Sequence, residues 1–65
     1  MNKITDFYMG NKLRVLDVSG ATYEGVALAI LWEDETDGEA HLSLETEIGQ
    51  VEFEQSDIID IEKIG

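Results

Sequence analysis

The sequence predicts a mainly β domain: a small barrel of five strands behind a short N-terminal helix or turn. Two observations carry this expectation. Leu13 to Trp32, LRVLDVSGATYEGVALAILW, reads as a strand, a tight turn at Ser19-Gly20-Ala21 and a longer strand interrupted at Gly25, rich in β-branched and aromatic residues. After Trp32, three further segments alternate apolar and polar residues with the period of two expected of a strand with one wet face, and these supply the partners that close the barrel.

Size and charge set the limits. A chain of 65 residues is a single domain, 1–65, near the lower limit for independent folding. A core of this size rarely supplies more than about 3–5 kcal/mol without a disulfide, a metal or a partner subunit. Cysteine is absent, which excludes disulfides and thiolate metal sites and leaves self-association as the available staple. MNKITDFYMGNKLR lacks the apolar core of a signal peptide, and the longest apolar run, Val26 to Trp32, is too short to cross a bilayer, so the expected compartment is the cytoplasm. The formal net charge is −11, with a pI near 4.1. Only Lys3, Lys12, Arg14 and Lys63 are basic, a poor endowment for neutralising a phosphate backbone. Solubility alone is the plain reading of such acidity. The sharper one is a protein partner with a basic surface, for which the carboxylates stand in for phosphates.

In chain order, Asn2 to Met9 places Ile4, Phe7 and Tyr8 on one face of a short helical turn, which Gly10-Asn11 stops. In the first strand Leu13 and Val15 point inward, and Asp17 falls in the same alternation, so either the inward face stops before it or a bulge turns it out. The second strand is apolar on both alternations: Val26, Leu28, Ile30 and Trp32 on one, Ala27, Ala29 and Leu31 on the other. Such a strand is expected to be buried on both sides, with Gly25 as the bend. Glu33 to Glu39 reads as an acidic loop with a hairpin signal at Asp37-Gly38. Asp34, Asp37 and Glu39 superficially suggest calcium, but the alternating ligands and the distal bidentate glutamate of such a loop are missing. From Ala40, His41, Ser43 and Glu45 alternate with Leu42 and Leu44. Ile48-Gly49 turns the chain, Val51 and Phe53 alternate with Gln50, Glu52 and Glu54, and Gln55-Ser56-Asp57 is a tight helical turn. The last strand, Ile58 to Ile64, sets Ile59 and Ile61 against Asp60 and Glu62.

These residues carry a resemblance. The N-terminal turn, Gly20, Tyr23, Gly25, the long apolar strand, Val-Glu-Phe-Glu before a short acidic turn, and Ile-x-x-Ile-Glu together resemble the bacterial Sm-like (LSM-domain) proteins, of the small Firmicutes type, from Asp6 to Ile64. The resemblance implies a five-stranded, strongly bent antiparallel barrel assembled into homo-oligomeric rings by pairing the fourth strand of one subunit with the fifth of the next. It assigns the subunit contact to Gln50, Val51, Glu52, Phe53, Ile58, Ile59 and Ile61. RNA-binding members carry an aspartate and an asparagine after the long strand and a cationic pair before the last one. This chain has Glu33 to Gly38 and Gln55-Ser56-Asp57 in those places, with no cation and no asparagine.

No catalytic constellation is present, and no cofactor is expected. His41, the sole histidine, falls on a wet face beside Glu39, and Ser43 and Ser56 lack a partner to activate a nucleophile. Trp32 reads as core or interface. The expected function is a non-enzymatic Sm-like binding module that engages a basic protein through Glu45, Glu52 and Glu54; an acidic Sm-like protein that blocks the transcription terminator Rho is a precedent in the family. The alternative is an RNA-binding ring using Lys12, Arg14, Tyr23 and Trp32, with Tyr8 as a further stacking surface. A third reading is a small-ligand binder with pockets between subunits.

Overall fold

The computed structural model describes residues 3–65. A 3-10 turn, Ile4–Asp6, leads into β1 (Lys12–Asp17) and β2 (Thr22–Leu31). A one-turn helix, α1 (Glu33–Thr36), is followed by β3 (His41–Thr46) and β4 (Gly49–Glu54), a second 3-10 turn (Gln55–Asp57) and β5 (Ile58–Lys63). All neighbouring strands are antiparallel, in the order β4-β3-β2-β1-β5.

The inner face is built as the alternation predicts. Leu13 and Val15 of β1, Leu42 and Leu44 of β3, and Ile61 of β5 are fully buried, with Ile4 of the N-terminal turn closing over them. Phe53 and Ile58 join the core, and Phe7, Tyr23, Ile30 and Val51 pack against it from partly buried positions. The rings of Tyr23 and Phe53 meet edge to face with centroids 5.3 Å apart. Tyr8, expected to share a face with Ile4 and Phe7, is instead exposed while Ile4 is buried; Asn2 lies outside the described residues. Gly20 turns β1 into β2 with a φ of 90°, a conformation costly for any residue with a Cβ.

Several expectations are corrected. The sheet is not closed into a barrel: β4 and β5 are its two edges, and among the described residues no ladder joins them. Nor is Gly25 a break in the sheet. The β1–β2 ladder runs through it, and its missing Cβ answers a different need: a Cβ there would lie 2.7 Å from the Glu45 carbonyl carbon and closer still to the oxygen. The irregularity of β2 lies at Leu28, where Ala27 faces Leu44 but Ala29 already faces Ser43. This extra residue resets the alternation, so Ala27 and Ile30 point inward while Leu28 and Leu31 point out.

A second bulge lies opposite Asp17 but in β5, so the alternation of β1 runs on without one and Asp17 stays partly buried, satisfied by Ser19 and Ala21 rather than turned out. Leu16 faces Asp60, whereas Asp17 faces Ile58, so Ile59 is the residue without a partner in that ladder. Ile58 takes the inward place and Ile59 is 46% exposed, opposite to the expected alternation. The acidic loop is also corrected. Glu33–Thr36 forms α1, because the Glu35 carboxylate accepts the Trp32 N–H at 2.7 Å and Asp37 ends the turn in the left-handed region. The same reach-back occurs at both 3-10 turns, where Asp6 accepts from the Lys3 N–H and Asp57 from the Glu54 N–H.

Candidate functional site

The acidic side chains divide by what they do within the fold. Asp17 Oδ1 accepts the Ser19 hydroxyl at 2.6 Å and the backbone N–H groups of Ser19 and Ala21 at 3.0 Å. These donors, the Ser19 hydroxyl foremost, hold its carboxyl below the usual range even though partial burial opposes ionisation. The Glu39 carboxylate accepts the Ser56 N–H at 2.6 Å and its hydroxyl at 3.0 Å, tying the approach to β3 to the turn before β5. Asp6, Glu35 and Asp57 cap their turns. All of these carboxylates serve local structure.

Arg14 is likewise occupied. Its register places it between Glu24 of β2 and Glu62 of β5, with Nε 2.8 Å from one carboxylate and Nη1 2.7 Å from the other. The Glu24 hydrogen bond, then that to Glu62, raises its pKa above the ordinary value. One cation and two carboxylates leave this trio with a net negative charge.

Glu45, Glu52 and Glu54 are different. The β3–β4 register sets Glu45 across from Gln50, Ser43 across from Glu52 and His41 across from Glu54, so all six belong to the outer face. Glu45 and Glu52 are exposed, and among the described residues their carboxylates take part in no hydrogen bond or ion pair. Glu54 lies 3.9 Å from the half-buried His41 Nε2, which places the histidine beside Glu54 rather than the expected Glu39. A small depression of 180 Å³ is lined by His41, Glu52, Phe53, Glu54 and Asp57. A larger open groove of 580 Å³ lies by the start of β2 and the β3–β4 turn, where Lys12 and Tyr23 meet Glu24, Glu45 and Glu47.

The outer face of β2 carries a feature not expected from the sequence. The strand is not buried on both sides: Val26 is 39% exposed, Leu28 and Leu31 are each 43%, and Trp32, expected in the core or an interface, is 53%. Val26 lies across from Glu45, Ala29 from Ser43 and Leu31 from His41, so an apolar stripe runs beside the carboxylates. The only sequence signal for it was negative. VALAILW contains no polar residue to say which side faces out, and the bulge at Leu28 decided the matter.

The other site residues scatter. Lys12 and Tyr23 border the larger groove, but Tyr23 is half-buried with its ring against Phe53, Arg14 is held by two glutamates, and Trp32 lies past the far end of β2. The residues assigned to a subunit contact do lie on the two edge strands, yet Phe53, Ile58 and Ile61 spend their side chains in this chain's own core, leaving Gln50, Glu52 and Ile59 exposed. Among the described residues no helix is long and apolar enough to cross a membrane. No protein-family model, curated protein or solved structure matches this chain.

Proposed function

We propose that this chain is a non-enzymatic binding module that engages a basic surface of a partner protein through Glu45, Glu52 and Glu54. The observation that carries the reading is that these three carboxylates share one exposed face, with none of the hydrogen-bonding work that occupies Asp17, Glu39 and the capping acids. Glu52 and Glu54 alternate along β4 and stand about 7 Å apart, inside the Debye length of roughly 8 Å at physiological salt, so a cationic surface meets their joint field. Against a phosphate chain the same field is repulsive, and Arg14, the best-placed cation, is already neutralised.

The Sm-like architecture, with its bent sheet and its ring, belongs to this proposal. Connectivity supports it. Glu54 lies two strands from Leu31, the end of β2, and Ile58 two strands from the start of β2, yet only three residues join them. A straight β2 would be about 30 Å long, more than such a link can span. The Tyr23–Phe53 contact also joins positions that a flat sheet would hold on the order of 20 Å apart. Two unjoined edge strands, β4 and β5, are what a ring would pair.

The test compares the wild-type protein with a Glu45→Gln, Glu52→Gln, Glu54→Gln triple variant as bait, identifying bound proteins by mass spectrometry and eluting with salt. The expected result is a partner of high pI that the variant fails to retain. Equal retention by the variant, or tight binding of a fluorescent oligonucleotide at about 150 mM salt, overturns the reading. Light scattering over a range of concentrations tests the ring, which a concentration-independent monomer removes.

A further inference from the structure

We propose that the outer face of β2 docks a basic amphipathic helix of a partner protein, with the helix's apolar stripe on Val26, Leu28 and Leu31 and its cationic flank over Glu52 and Glu54. This rests on the charge reading above and names the shape of the partner at the same face.

Dimensions and charge complementarity support a helix. From Val26 to Leu31 the exposed stripe runs about 16 Å, the length of a helix of roughly eleven residues, or three turns with one apolar anchor each. The strand β4 lies two strands away from β2, about 10 Å, which matches the width of a helix with its side chains. A helix lying on β2 therefore holds its flank above Glu52 and Glu54. A strand laid flat on the same face would leave its own backbone N–H and C=O groups without partners, whereas a helix satisfies them internally.

The face is also one-sided, which orients the helix. Toward β3 and β4 stand Glu45, Glu52 and Glu54. Toward β1 the ladder ends at Lys12 opposite Val26, and beyond it the Ala27 backbone bonds only to Gly10 and Asn11 of the N-terminal loop. Lysine or arginine thus belongs on the β4 side of the helix. A second copy of this chain is a poor occupant, because a two-fold pairing of this face would set carboxylates against carboxylates on a chain of net charge −11.

The probe is a synthetic peptide of roughly 15 residues, long enough to form a helix on docking, with leucines at helical spacing and lysines along one flank. Its controls are a scrambled peptide of the same composition and a version with glutamate for lysine. Trp32, the sole tryptophan, reports docking in the intact protein. The expected result is a blue shift of Trp32 emission, with affinity about tenfold or more above that of the scrambled peptide. Leu28→Ser should weaken it about tenfold, and Glu52→Gln with Glu54→Gln should weaken it and flatten its salt dependence. Leu31→Ser and circular dichroism guard against a variant that disturbs the bulge rather than the face. If scrambled and helical peptides bind alike, and only the glutamine variant loses affinity, helix docking is overturned while the charge reading stands. If no cationic peptide binds, both fall. A dimer that Leu28→Ser dissolves assigns the face to a second copy and overturns the proposal.

Discussion

The two halves of β2 differ in composition and, against simple expectation, it is the wholly apolar half that leaves large side chains in water. Thr22 to Gly25 pairs with β1 alone and Val26 with both β1 and β3, with Glu24 facing Arg14 on the outside and Tyr23 packed inward against Phe53. Ala27 to Leu31 has β3 on one side and only the Gly10–Asn11 loop on the other, and its two largest outward side chains, Leu28 and Leu31, meet solvent. The first half is held by neighbours that use both of its faces. The second is held by one face alone, and its surplus of apolar surface is what makes a docking role worth testing. Leucine content does not decide burial in a strand; pairing and register do.

Four changes break or sharpen that contrast. Leu42→Ala removes a fully buried side chain opposite Ile30 and is expected to cost about 2–5 kcal/mol, comparable to the whole stability of a domain this small, so the urea transition should shift to very low denaturant or vanish. Gly25→Ala, in the first half, forces a methyl group onto the Glu45 carbonyl and is expected to cost roughly 1–3 kcal/mol, read as a lower urea midpoint with the same slope.

Asp17→Asn probes the turn that feeds the first half. A carboxyl whose pKa is lower folded than unfolded contributes stability above its unfolded value, near 3.8, and loses that contribution as pH falls through it toward the folded value. The wild type should therefore lose stability below about pH 4 more steeply than the variant, as urea midpoints taken in pH steps will show. Leu28→Ser should be the mildest, within about 0.5 kcal/mol, because the side chain it removes touches water. If Leu28→Ser proves as damaging as Leu42→Ala, the contrast between the two halves fails.

Much of the fold was legible. Leu13, Val15, Leu42, Leu44, Val51 and Phe53 turn inward or pack on the core as their alternation predicts, because charged or polar neighbours on the same strands mark the wet side. The conflict at Asp17 was legible too, since a carboxylate in an inward register needs partners, but its resolution was not: the extra residue falls in β5, at Ile59, and Ser19 and Ala21 satisfy the carboxylate. At the candidate site, Glu45, Glu52 and Glu54 were recognisable from the same alternation, and the register confirms that they share a face. The stripe beside them was not, and neither was the helical turn at Glu33–Thr36, whose Glu35 cap competes with the hairpin signal of Asp37-Gly38.

By itself, then, the sequence determined the strands wherever polar and apolar residues alternate, the turn at Gly20, and a strongly negative surface, because these follow from local geometry and charge. Only the tertiary structure decided the rest. Where a strand is apolar throughout, as at Val26 to Trp32, or offers adjacent isoleucines, as at Ile58-Ile59, either face can turn inward at nearly equal cost. The choice falls to pairing with a neighbour, and a single extra residue in the ladder, at Leu28 and again at Ile59, sends one hydrophobic side chain to the core and the next to water.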